Sequence, residues 1–324
     1  MKNNSLREIA KKLSEAKSIL LFPHVNLDGD ALGSCAALCK ALRNEGKEAW
    51  ILLEDDIPAN LSFLDNGYCT WDMDIVKNQD ISMCVDCGEL SRFPNRTEKF
   101  QEASTTMCLD HHATKNFFCD YNYIDSNESA SGQIVFQLLM EMGTAPDTEI
   151  GEAILTAIIT DTGNFQYANT QKKSHTIVAE LYDWGVDVNK VSVELYENVR
   201  LEQVMMKKLA METLQIVGGG LGAILYVSQE MLEKSGATMD ESESLSQDLR
   251  SISGVKYSAV IKEQDPQSVR VSLRAKREGN VLKIAQNLGG GGHLKAAGCT
   301  INAPLKEAVA MVENELTKAI EEFK

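Results

Sequence analysis

Three of the five histidines in this 324-residue chain stand in short runs with aspartates, His24-Val-Asn-Leu-Asp28-Gly-Asp30 and Asp110-His111-His112. Two further aspartates, Asp86 and Asp161, close apolar runs elsewhere. Carboxylate and imidazole suit Mn²⁺, Fe²⁺ or Zn²⁺, and no thiolate joins the set. Two such ions roughly 3.5 to 4 Å apart lower the pKa of a bound water and clamp both oxygens of an in-line displacement at phosphorus. His24, Asp28, Asp30, Asp86, His111 and Asp161 supply six hard ligands for such a centre. The chemistry expected is metal-dependent phosphoester hydrolysis.

The glycine between Asp28 and Asp30 is expected to let the backbone turn sharply and aim each carboxylate at a different ion. A plain turn capping the next helix, with Asp30 at its N-cap, would explain that pair alone. His24 four residues upstream and the Asp110-His111-His112 run favour the metal reading. Of the other histidines, His293 closes the run Gly289 to Gly292, and His175 in a polar stretch reads as a helix-surface residue.

Ligands so far apart in sequence must be gathered by strand ends. Ser18 to His24, Glu48 to Leu53, Ile81 to Cys87 and Thr105 to Asp110 are apolar and lack strict alternation, the habit of parallel strands covered on both faces. Helical patterns run over about 30–44, 129–142, 149–160 and 173–184. The fold class is therefore α/β, a doubly wound and mainly parallel sheet. Such sheets bind ligands at the carboxyl ends of their strands, where His24, Asp86 and the Asp110-His111-His112 run fall.

A charge-laced stretch from about Val188 to Gln215 reads as one helical linker, ending at a hinge at Gly218-Gly219-Gly220. The domains expected are 1–187, a linker and hinge at 188–217, and 218–324. The last should be a smaller α+β domain, with strands near 221–227, 255–263, 268–275 and 296–302 and helices near 245–253 and 281–287 and from Leu305 on.

A length of 324 residues is enough for two cores. The formal charge of −15 argues against coating long nucleic acid, which needs Lys and Arg to neutralise phosphates. Residues 215–324 carry 13 Lys+Arg against 14 Asp+Glu and are near neutral, so a basic patch with Arg270, Arg274, Lys276, Arg277, Lys283 and Lys295 survives there. No apolar run reaches the ~20 residues of a membrane span, and the amino terminus reads as an amphipathic helix, so a cytoplasmic protein is expected. Eight cysteines in mostly apolar surroundings read as buried reduced thiols. Cys84 and Cys87, three apart on a strand, should face opposite sides of it and form neither a redox nor a zinc pair.

These motifs resemble the DHH/DHHA1 phosphoesterase family. The His24 to Ser34 segment resembles its first motif, Val85-Asp86 its second, Asp110-His111-His112 its third and Thr160-Asp161-Thr162-Gly163 its fourth. Ser272-Leu-Arg274 followed by Gly289 to Gly292, His293 and Gly298 resembles the DHHA1 signature, with Ala275 a mild departure. The resemblance implies that His24 and Asp28 hold one divalent ion and Asp30, His111 and Asp161 the other, with Asp86 bridging and Mn²⁺ the expected metal. His112 would face the scissile phosphate, and Asp110 would orient its neighbours. Ser272, Arg274, Gly290, Gly291, Gly292 and His293 would contact substrate phosphate.

Within the family, a chain of two domains is most similar to the nanoRNase group, which degrades RNA of a few nucleotides and dephosphorylates pAp to AMP. Short RNA oligonucleotides and nucleotides are then the substrates, with no long nucleic acid and no membrane as partners, and related enzymes suggest a homodimer. The alternative substrate is a linear dinucleotide of the pApA type. A second alternative is a non-catalytic nucleotide-binding module, whose expected mark, a lost ligand, is absent from the six positions.

Overall fold

The computed structural model describes residues 3–113 and 117–323, and the chain divides into two compact units, Met1–Asn198 and Val199–Lys324. In the first, α1 (Leu6–Glu15), β1 (Ser18–Phe22), α2 (Gly29–Asn44), β2 (Glu48–Leu52), β3 (Cys69–Thr70), β4 (Ile81–Val85), α3 (Thr97–Gln101), β5 (Thr105–Asp110) and β6 (Tyr121–Ile124) precede four helices. These are α4 (Ser131–Met142), α5 (Thr148–Asp161), α6 (Lys172–Asp183) and α7 (Val188–Tyr196). The strands form one parallel sheet in the order β3-β2-β1-β4-β5-β6. Strand order reverses between β1 and β4, which opens a ligand crevice at their carboxyl ends.

Alternate residues along the central strands serve two cores. Ile19, Leu21, Met83 and Val85 join a large cluster with α1, α2 and α4 to α7, whereas Leu20, Phe22 and Cys84 face a smaller one built with Phe93 and Phe100. Both faces are buried, which accounts for the missing alternation. The second face is covered by α3, short turns and an aromatic group in which Phe22 and Phe100 meet edge-on at 5.1 Å.

Cys84 and Cys87 belong to the same apolar cluster, contrary to expectation. The strand ends at Val85, and Asp86 turns the chain through a left-handed conformation (φ 59°), bringing Cys87 round to the Cys84 side. Their thiols bond separately, Cys84 to Met107 O and Cys87 to Glu89 O, and burial pushes Cys87 up to about 12.

The second unit contains α8 (Leu201–Met211), β7 (Gln215–Val217), β8 (Gly222–Val227), α9 (Gln229–Ser235), α10 (Leu245–Ser251), β9 (Tyr257–Asp265) and β10 (Ser268–Ala275). It is completed by α11 (Leu282–Asn287), β11 (Gly291–Gly292), β12 (Ala296–Ile301) and α12 (Leu305–Phe323). Its sheet, β11-β12-β10-β9-β8-β7, is antiparallel except for the β8–β9 pair.

The linker expected over 188–217 is not a single element. Its first part, α7, buries Val191 and Leu195 in the first unit, and its second, α8, buries Met206 and Ala210 in the second. The break lies at 197–200, where Arg200 is extended (ψ 145°). Gly218, Gly219 and Gly220 are no hinge between domains. All three are left-handed and make the turn of the β7–β8 hairpin inside the second unit. Polar surface on both short helices hid the boundary, because charge periodicity is blind to which core an apolar stripe enters.

Candidate metal centre

The chain leaves β1 through Pro23, whose carbonyl accepts a 2.8 Å bond from Arg96 Nη2; that buried guanidinium pairs with Glu54 at 3.1 Å. His24 follows, with Nδ1 2.7 Å from the Val25 carbonyl. This bond assigns the proton to Nδ1 and turns Nε2 toward Asp28 Oδ2 at 3.5 Å and Asp86 Oδ2 at 3.4 Å. Asp28, not Asp30, caps α2, accepting from Ala31 N at 2.9 Å. Gly29 is the first helical residue rather than a sharp turn. It is glycine because a Cβ there would lie 2.4 Å from the Thr160 methyl, where α2 crosses α5.

Asp30 is buried within the first turn of α2. Its Oδ2 accepts from Ser131 N (2.7 Å) and its Oδ1 from Gly132 N (2.9 Å) and Ser34 Oγ (3.2 Å). Asp86 stands just past β4, its other oxygen, Oδ1, accepting from Ser131 Oγ at 2.8 Å. His111 Nε2 lies 3.6 Å from Asp30, 3.5 Å from Asp86 Oδ1 and 3.8 Å from Asp161. Three groups with ligand atoms within 4.8 Å of one another result, His24/Asp28/Asp86, Asp30/His111/Asp161 and Asp86/His111/His112. Asp86 presents Oδ2 to His24 of the first set and Oδ1 to His111 of the second.

Four carboxylates crowded this closely, two of them buried, repel one another unless cations lie between them. Burial first, then Asp86, Asp161 and Asp28, holds the Asp30 carboxyl well above the usual range. Burial, opposed by His111 and reinforced by Asp86, lifts Asp161 to about 6. Burial draws His24 down, but Asp28 and Asp86 outweigh it and carry the imidazole up to about 10. Protons and histidine cations thus answer the excess negative charge here. An oxygen- and nitrogen-rich set of this kind fits hard divalent ions, which would take over that role.

His112 forms the third group with Asp86 and His111, and is the most exposed of the three. Its Nδ1 is 2.8 Å from Asp110 Oδ1, which also accepts from the His112 amide at 3.1 Å, and Asp86 Oδ1 is 3.6 Å away. Asp110 is wholly buried, whereas the His112 side chain is 54% exposed. The Asp110 hydrogen bond, against burial, raises the imidazole to about 9. Nδ1–H donates to Asp110, so in the imidazolium Nε2 carries the second, transferable proton.

Left-handed backbone gathers around these residues. Asn26, Asp86, Asn164 and Phe165 all have φ between 53° and 62°. Phe165 there is a genuine outlier for a bulky side chain, and such conformations cost about 1–3 kcal/mol each.

In the second unit, Ser272 and Arg274 occupy the less buried face of β10. Ser272 is opposite Gly298 of β12, which is opposite Gly291 of β11, so the three line up across adjacent strands. Arg274 Nη1 donates to Leu273 O at 3.0 Å. Gly291, Gly292 and His293 are exposed. Two glycines of the run answer to packing, since a Cβ on Gly290 would lie 2.1 Å from Gly298 O and one on Gly292 2.6 Å from Ala297 Cα.

Residues 18–160 match the DHH family, N-terminal domain, and residues 222–323 match the DHHA1 domain. A bifunctional oligoribonuclease and PAP phosphatase from Thermus thermophilus is 30% identical over 322 residues, spanning 97% of this chain and 95% of that protein. The chain belongs to the DHH/DHHA1 family. Among solved structures, an exopolyphosphatase-related protein from Bacteroides fragilis superposes on this DHH-family chain with a TM-score of 0.90 at 23% identity, covering 98% of this chain and 96% of that one. The exonuclease RecJ bound to manganese gives a TM-score of 0.54 at 15% identity, covering 100% and 96%. Those two likenesses establish the DHH fold.

The DHH motifs do not include every residue that shapes the centre. Outside them, Ser131, Gly132, Arg96 and Asn169, which donates to the Asp161 carbonyl at 3.0 Å, hold ligands in place. The one sequence signal was Ser129-Ala-Ser-Gly132, a run of small polar residues at the start of an apolar helix, where orphan amides need acceptors.

Proposed function

We propose that this protein degrades very short RNA oligonucleotides to mononucleotides and dephosphorylates pAp to AMP, using two divalent ions with Mn²⁺ as the working metal. The observation that carries the reading is that Asp86 lies between the His24/Asp28 and Asp30/His111/Asp161 ligands, Oδ2 toward His24 and Oδ1 toward His111, with His112 alongside. A relative aligned along nearly its whole length bears the name of a bifunctional oligoribonuclease and PAP phosphatase. The manganese bound to RecJ, a protein of the same fold, supports the choice of ion.

His24, Asp28 and Asp86 would hold one ion, and Asp86, Asp30, His111 and Asp161 the other. When bound, the ions supply an activated water and neutralise charge on the phosphate oxygens. The protein's own groups do the rest. Asp110 fixes the His112 ring, and the imidazolium proton on Nε2 passes to the leaving oxygen or steadies the charge growing there. On β10 and β11, Arg274, Ser272, Gly290 to Gly292 and His293 would recognise the phosphates of the nucleotide. Free cysteines and their burial agree with work in the reducing cytoplasm.

A hydrolase of this kind should lose all turnover in EDTA and regain it with Mn²⁺; absence of turnover in both would leave only a nucleotide-binding module. Arg274→Ala should raise KM for short RNA and pAp by roughly tenfold to a hundredfold, the worth of one charged phosphate contact. Hydrolysis of bis-p-nitrophenyl phosphate should be nearly unaffected. Equal losses on both substrates would remove Arg274 from nucleotide recognition.

A further inference from the structure

We infer that the segment Glu128–Gly132, which contributes no metal ligand, is a positioning element for one of the two ion sites only, and that Ser131 is its principal residue. This rests on the two-ion reading proposed above.

Four of the six ligands are tied to this short segment. The Glu128 carbonyl is 3.2 Å from His111 Nδ1, so it accepts a hydrogen bond from Nδ1–H and leaves Nε2 as the ligand atom. The Ser129 carbonyl accepts from Asn169 Nδ2 at 3.1 Å, and the same amide reaches the Asp161 carbonyl at 3.0 Å and its Oδ2 at 3.3 Å. Ser131 N and Gly132 N bind the two oxygens of Asp30, and Ser131 Oγ binds Asp86 Oδ1. The three unshared ligands and the one Asp86 oxygen so held are those of the Asp30/His111/Asp161 side.

Local sequence explains why the segment can serve this purpose. The N-cap of α4 is Ala130, whose methyl group accepts nothing, so the first amides of the helix lack the usual cap. Asp30, a hundred residues upstream, fills that role and sits in the favourable field of the helix N-terminus. Gly132 lets this end of α4 pack on α5, since a Cβ there would meet the Ala157 methyl at 2.5 Å. Ser131 is fully buried, so its hydroxyl has a fixed partner.

The other side is built differently. His24 is oriented by its neighbour Val25, and Asp28 by Ala31 of its own helix turn, with the Asp28 side chain 55% exposed. Both of these bonds are local to the first motif loop, and the further hold on that loop, from Arg96 to Pro23 O, comes from the turn before α3 and not from Glu128–Gly132. The Asp30/His111/Asp161 site is therefore held from a separate element, and damage to that element should largely spare the His24/Asp28 site.

The test is Mn²⁺ binding to the full-length, metal-stripped protein, followed by calorimetry and by the electron-paramagnetic signal of free Mn²⁺. Wild type should bind two ions. Ser131→Ala, which frees the Asp86 oxygen turned to His111 and keeps the backbone bond to Asp30, should bind one ion ten- to a hundredfold more weakly, as loss of an outer-shell partner does, and the other at most a few-fold more weakly through the shared carboxylate. Asn169→Ala, which removes a side chain from an exposed loop, should weaken the first of these ions. To identify it, Ser131→Ala is combined with Asp161→Asn, where it should add little, and with Asp28→Asn, where both sites should suffer. Equal weakening of both ions, or affinities within twofold of wild type in both variants, would overturn the one-sided assignment. A wild-type isotherm for a single ion would overturn the two-ion reading itself, and this inference with it.

Discussion

Asp86→Ala should lower turnover of every substrate, generic esters included, by on the order of 10³-fold or more, or about 4 kcal/mol of transition-state stabilisation. Among the described residues Asp86 alone of the proposed carboxylate ligands faces both His24 and His111. Oδ2 is 3.4 Å from His24 and Oδ1 3.5 Å from His111, so the substitution strips one carboxylate oxygen from each ion site at once. Added Mn²⁺ should restore little, because the loss is of shared geometry and not of affinity at one position. Circular dichroism should be unchanged, since Asp86 lies beyond the end of β4 and its backbone amide still bonds to Leu109 O at 2.9 Å. Steady-state rates at saturating Mn²⁺ check the expectation, and turnover within tenfold of wild type would break the bridging assignment.

His112→Gln should behave in another way. It should bind both ions normally, because the two proposed sites keep all six of their ligands and the Nδ1 of His112 is taken by Asp110, yet lose roughly 10²- to 10⁴-fold in kcat, the usual worth of a general acid. The pH profile separates the roles. In the metal-free protein Asp110 holds the imidazole up to about 9, and nearby divalent ions would draw it down from there. The active form carries the proton, so kcat should fall as pH rises through a value at or below about 9, and that limb should vanish in His112→Gln. A leaving group that departs without protonation, such as p-nitrophenolate, should suffer much less than a nucleoside alkoxide. An unchanged basic limb in the variant would assign it to some other group.

What is legible in the sequence depends on the range over which each signal acts. Strands of the first unit were legible within a residue or two because both faces are buried and their apolar runs are unbroken. The short edge strands β3, β6, β7 and β11 passed unnoticed, because two to four residues do not make a periodic pattern. The six proposed ligands were legible because histidine is scarce here and the aspartates close apolar runs. Their supports were not. Nothing around Asp30 announces that it caps a helix beginning a hundred residues later, and nothing around Arg96 that it grips Pro23 from a turn on the opposite face. Two glycine arguments also failed for lack of tertiary context. Gly29 is needed by Thr160 and not by a turn, and Gly218 to Gly220 close a hairpin where a hinge was expected.

The central claim, that this DHH-family protein works on very short RNA and on pAp, is tested most directly by product release from 5′-labelled RNAs ranging from two nucleotides to about two dozen. Substrate pAp and pyrophosphate are run in parallel, each with Mn²⁺ and with EDTA. Rapid loss of the shortest RNAs and release of phosphate from pAp, both abolished by EDTA, is the result predicted. Preference for pyrophosphate or for the longest strands would contradict it.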